Sequence, residues 1–143
     1  MKWQELAATS HYQTAVAVEE ALQRGSVSDA KVGIQELVDA LARSDKRALK
    51  SQLIRLMAHV IKWLTQPDHR TRSWGQSIRN ARDEIAEIRE DTPSLTRETI
   101  EDMWQACFAR AKADAEDDME QQSPIMTLTW NDVFENDYKV ESP

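Results

Sequence analysis

The chain has 143 residues with 41% hydrophobic and 30% charged side chains, enough for one domain with a core and too apolar for a disordered tract. Its net charge of -7 argues against a generally basic nucleic-acid binder. A single cysteine, Cys107, excludes an intramolecular disulfide and a cysteine-based zinc site.

Ala, Leu, Glu, Gln, Lys and Arg dominate, and only 3 glycines occur. Straight-chain residues lose little rotamer freedom in a helix, so an all-α fold is expected. The expected architecture is a helical bundle built on a long antiparallel two-helix hairpin, with flanking N- and C-terminal helices. One domain over residues 1–143 is expected, with an acidic, partly flexible segment at about 114–124.

A first helix is predicted from Trp3 to Arg24, with a stripe of Trp3, Ala7, His11, Ala15, Val18 and Leu22. Gly25 ends it, and Ser26 with Asp29 resembles a capping pair for the next start. The second helix, from about Ala30 to Leu64, carries Ile34, Leu37, Leu41, Ala48, Leu49, Leu53, Leu56, Val60 and Leu64 on one face. Its polar segment around Ser44 is a place for a bend, but one long helix is preferred.

Pro67 closes that helix near Thr65. Ser73 and Gln76 read as a capping box for a third helix, whose seam is Trp74, Ile78, Ala81, Ile85 and Ile88. Thr92 with Pro93 predicts the start of a fourth helix carrying Leu95, Ile100, Met103, Trp104, Cys107, Phe108, Ala111 and Ala115. That helix is expected to dissolve in the acidic run 114–120. Thr129 and Asp132 should cap a last short turn, whose Trp130, Val133 and Phe134 must dock on the bundle to persist.

Charge is segregated along the chain. Residues 43–82 hold 10 Lys or Arg against 2 Asp or Glu, and residues 83–143 hold 5 against 17. Pairing between helices is the favoured explanation, and a basic surface for an anionic partner is the alternative. The segment HVIKWLTQPDHRTRSW, residues 59–74, concentrates the chemistry. Lys62, Trp63, Arg70, Arg72, Trp74 and Arg82 are the candidate binding residues. As a catalytic alternative, His59 would serve as general acid or base, with Arg55 and Arg72 stabilising a phosphoryl transition state. The favoured reading is a structural corner, in which arginines cover indole faces and His59 is a neutral structural residue.

His11, His59 and His69 are scattered, and no glycine-rich phosphate loop occurs, so no metal and no cofactor is expected. The chain opens without a signal peptide and has no apolar run that could span a membrane, which favours a soluble cytoplasmic protein with no membrane partner.

The segments LARSDKRALKSQLIRLMAHVIKW, QPDHRTRSW, IRNAR, DTPSL, FARA and SPIMTLTWNDVF, in that order, resemble the bacterial family called domain of unknown function twenty-nine. The resemblance implies a small all-helical bacterial protein and carries no assigned activity. Upstream the chain departs from the family pattern: Ser28-Asp29-Ala30 and Glu36-Leu37 replace a leucine-aspartate pair and a double glutamate, and Thr14 lies where a tryptophan is usual. The function expected is a non-catalytic helical protein-interaction module, with a protein partner or self-association. A nucleic-acid binder or ribonuclease using residues 43–82 is the alternative.

Overall fold

The computed structural model describes residues 2–140. Its described residues are mostly helical and include no strand. In order the helices are α1 (Trp3–Thr9), α2 (His11–Gln23), α3 (Val27–Thr65), α4 (Arg72–Asp91), α5 (Arg97–Asp102) and α6 (Trp104–Met119). A 3-10 turn at Pro67–His69 separates α3 from α4, and a π-helical turn covers Asn131–Glu135. The chain divides into two compact units at Arg47/Ala48.

In the first unit, the expected single N-terminal helix is two. Ser10 is extended, at φ -153° and ψ 114°, and its hydroxyl accepts from the Gln13 N–H at 3.1 Å to cap α2. The break re-phases the buried face. Thr14, Ala17, Val18 and Ala21 are buried, whereas Ala15 and Leu22 from the expected stripe are exposed. Trp3, Ala17, Val18, Ala21 and Ala30 form a small core. Asp29 accepts from the Trp3 indole N–H at 2.8 Å, so its carboxylate anchors α1 instead of completing a capping pair with Ser26. Gly33 is required here: a β-carbon would lie 2.7 Å from the Trp3 ring and 2.8 Å from Val18.

Helix α3 is uninterrupted through Ser44, as preferred from the sequence. Its predicted stripe is buried only in part. Leu49, Leu53, Leu56 and Val60 are fully buried, whereas Ile34, Leu41 and Ala48 are exposed. Two short helices supply the apolar neighbours in the first unit, whereas α4, α6 and the C-terminal segment supply them in the second.

The second unit holds the main core. Leu53, Met57 and Ile61 of α3 share it with Ile78 and Ile85 of α4 and with Cys107 and Ala111 of α6. α3 and α4 make the expected hairpin, but the cap differs. Thr71 Oγ1 accepts from the Trp74 N–H at 3.2 Å, so α4 begins at Arg72 and Ser73 lies inside it. Trp74 at the head of the seam is only half-buried. The start predicted at Thr92-Pro93 moves to Thr96, which forms a reciprocal capping box with Thr99. Helix α6 runs through the acidic segment to Met119, because Ala111 and Ala115 keep one face in the core. The Thr129–Asp132 cap is present: the Asp132 carboxylate accepts from Thr129 N–H at 2.8 Å, and the Thr129 hydroxyl accepts from Asp132 N–H at 3.1 Å.

Candidate functional site

The residues singled out around 59–74 converge at the end of α3, together with the segment 118–138. Trp63 is 4% exposed. Its indole meets Tyr138 edge-on at 5.7 Å, and the Arg70 guanidinium lies 5.0 Å over its face. Arg70 Nε also donates to the Trp63 carbonyl at 2.9 Å, satisfying one of the acceptors left open at a helix end. The Lys62 ammonium pairs with Asp118 at 3.2 Å and lies 5.6 Å from the Trp74 ring centre. Thr65 and Ser123 share a hydroxyl hydrogen bond of 2.8 Å. These contacts join the corner to the chain after α6.

Arg82 performs the same task one side further along α4. Its Nε donates to the Val133 carbonyl and its Nη2 to the Asn136 carbonyl, both at 2.8 Å, while its guanidinium covers Tyr138 at 5.5 Å. The Tyr138 hydroxyl donates to the Asp132 carbonyl. Gly75 is the close-approach point, since a β-carbon there would lie 2.7 Å from the Tyr138 carbonyl oxygen. Sequence reasoning missed Tyr138 because a lone tyrosine in a polar tail has no periodic neighbours. Only Arg72, of the six candidate binding residues, is exposed and free of such internal bonds among the described residues.

A second aromatic group lies nearby in the sequence of contacts. Trp104 stacks on Trp130 at 5.8 Å, Trp130 meets Phe134 at 4.4 Å, and the Arg97 guanidinium lies 4.1 Å over Trp130. The expected docking of the last turn therefore runs through Trp104, whose indole N–H also donates to the Leu128 carbonyl at 3.0 Å.

Of the catalytic alternative, His59 and Arg55 are neighbours by backbone. His59 Nδ1–H donates to the Arg55 carbonyl at 2.9 Å, which leaves Nε2 as the free nitrogen of the neutral ring. Burial pushes the His59 pKa below its ordinary value of 6.5; the carbonyl bond and Asp118 oppose this, and Lys62 and Arg55 reinforce it. The Arg55 side chain borders a cavity of about 590 Å³ that Asp83 and Glu84 of α4 also line. Carboxylates therefore face it. Burial likewise raises the thiol pKa of fully buried Cys107, as suits a small core residue. Among the described residues, no group of three or more His, Cys, Asp or Glu side chains could hold a metal ion. None of the described helices is long and apolar enough to cross a membrane.

The corner and the segments that pack on it coincide with a known family. The description "Domain of unknown function DUF29" matches residues 11–139. The chain belongs to that family. No curated protein and no solved structure matches it. The DUF29 match takes in the whole corner, with Trp63, Arg82 and Tyr138, and begins where α2 begins.

The lowered His59 pKa makes a prediction. With a folded pKa below 6.5, the unfolded chain takes up the proton first as pH falls. The contribution is complete above about pH 6.5 and is lost as pH falls from there through the folded pKa. Wild type should lose more melting temperature between pH 7.5 and 5.5 than His59→Gln. Parallel pH profiles would contradict a half-buried neutral imidazole.

Proposed function

We propose that this chain is a non-catalytic interaction module that self-associates through the first unit. The observation that carries this is an exposed apolar stripe on α3. Ile34, Val38 and Leu41 are 46%, 52% and 43% exposed and follow each other at spacings of four and three, the seam spacing of paired helices. Val27, one heptad before Ile34, is exposed as well. Among the described residues, seven of the nine exposed large hydrophobics lie before residue 48, so the apolar exposure is concentrated and not scattered.

A second copy is the occupant that fits. Lys31 and Asp45 lie seven residues before and after Val38. Antiparallel pairing of two α3 helices about Val38 brings each Lys31 level with the partner's Asp45. It also seats the two stripes on one another, in the two-fold arrangement commonest among homo-oligomers. The stripe is short, so the dimer belongs at the weak end of specific interfaces. The basic corner supports the same reading from the other side: Lys62, Arg70 and Arg82 spend their charge on Asp118 and on backbone carbonyls. The soluble, cytoplasmic setting expected from the sequence belongs to this proposal.

A charge exchange tests it. Lys31→Glu places like charges level across the pair and should weaken dimerisation about fivefold or more. The double variant Lys31→Glu/Asp45→Lys should recover it. Equal dimer affinity in all three proteins would refute the antiparallel register.

A further inference from the structure

We propose that the first unit contains a binding site for a phosphate group, independent of the self-association above. A cavity of about 290 Å³ opens where α1 breaks into α2, bounded by Thr9, His11 and, on α3, Ala40, Arg43, Ser44 and Arg47. The α3 residues recur at three- and four-residue steps, so they share one face. At about 100° per residue that face lies on the far side of α3 from the Ile34–Leu41 stripe.

The chemistry of the lining is one-sided. Two guanidinium groups and an imidazole contribute to it, and no carboxylate does. Arg43 and Arg47 make no hydrogen bond or ion pair among the described residues, unlike Lys62, Arg70 and Arg82 in the second unit. They stand one turn apart, so both forks reach the same space. The short side chain of Ala40 leaves that space open. The Ser44 hydroxyl adds a donor. His11 is the first residue of a 13-residue helix, and neither its N–H nor that of Tyr12 has a backbone acceptor among the described residues. The positive end of α2 therefore borders the cavity at the same edge as the imidazole.

Planar forks converging with a hydroxyl and helix amides suit an anion with several oxygens on one centre, which is the geometry of a phosphate monoester. A carboxylate offers two oxygens in one plane and would leave donors unused. An extended polyanion is a poorer fit, because Glu36 and Asp39 follow on the same helix just before Ala40 and interrupt any basic strip. The ligand class is a phosphate group, free or on a small molecule or lipid head.

The test is calorimetric titration of the full chain with inorganic phosphate, against chloride at equal ionic strength. One saturable site per chain is expected for phosphate alone. Arg43→Gln/Arg47→Gln should bind at least tenfold more weakly while melting as wild type does, and so should Ser44→Ala/Arg47→Gln if the first pair unfolds. Arg110→Gln, in the second unit, should bind as wild type. Sedimentation with vesicles of phosphatidylcholine plus phosphatidate then separates the sources: co-sedimentation lost in the Arg43/Arg47 variant assigns a lipid head, and its absence assigns a soluble phosphate. Equal heats for phosphate and chloride would overturn the site. So would unchanged affinity in the arginine variants, or binding of an oligonucleotide through these arginines without binding of phosphate.

Discussion

Trp63→Ala should cost about 3–5 kcal/mol, the range for large aromatic deletions from a core. The indole is nearly completely enclosed, carries the edge contact to Tyr138 and lies under Arg70. Its loss opens a cavity at the point where α3 ends and the C-terminal segment docks. For a chain of this length the melting temperature should fall by roughly 10 °C or more. Trp74→Ala serves as the contrast. Trp74 is half-buried and touches Lys62 from outside, so its loss should be clearly smaller. A melting temperature for Trp63→Ala within about 2 °C of wild type would mean that the corner is not the anchor described here.

Arg82→Met should destabilise by about 2–4 kcal/mol, through two lost hydrogen bonds from a charged donor, each worth about 1.5–3 kcal/mol before partial exposure is counted. Methionine keeps much of the aliphatic packing, so the loss reports on the guanidinium. The Val133 and Asn136 carbonyls lose their donor, and the Tyr138 ring loses its cover. Hydrogen exchange should therefore rise first in residues 133–138, ahead of the α3–α4 core. Unchanged exchange there, with unchanged stability, would show that the C-terminal turn is held by Trp130 and Phe134 alone.

The long hairpin was legible because helix propensity, a proline stop and an apolar seam all agree over residues 49–85. The Thr129–Asp132 turn was legible because a three-residue cap spacing directly encodes two hydrogen bonds. Helix starts were less so. Thr71, Ser73, Thr92 and Thr96 are all competent caps, and tertiary packing selects Thr71 and Thr96. The break at Ser10 escaped because apolar spacing continues across it, while the extended backbone there changes which residues face inward. The corner residues were identified as a group, but the partners that tie them to the C-terminal segment lie 50 or more residues away. Lys62 with Asp118 and Arg82 with Val133 leave no local signal. The Arg43–Arg47 cavity was missed for the same reason, since its other wall is the α1–α2 break.

The basic block of residues 43–82 thus has two fates. From Lys62 onwards it is largely spent on internal carbonyls, an indole and a carboxylate; at Arg43 and Arg47 its charge remains open to a ligand. Neither pattern builds a catalytic pair around His59, whose Nδ1–H is committed to a helix carbonyl. Cleavage of single-stranded RNA by wild type, abolished in a His59→Gln protein that melts normally, would reverse that reading.

The interaction role is tested most directly by sedimentation equilibrium of wild type beside Val38→Asp, from about 1 to 200 μM, a span that brackets weak specific dimers. Val38 lies on the axis of the proposed pair, so the variant sets two carboxylates against each other in an apolar seam. Val38 is exposed in the single chain, so folding should be untouched. Wild type should convert from monomer to dimer across the range, and Val38→Asp should remain monomeric with an unchanged melting curve. A wild type that stays monomeric throughout, or a dimer that Val38→Asp leaves intact, would contradict self-association through α3.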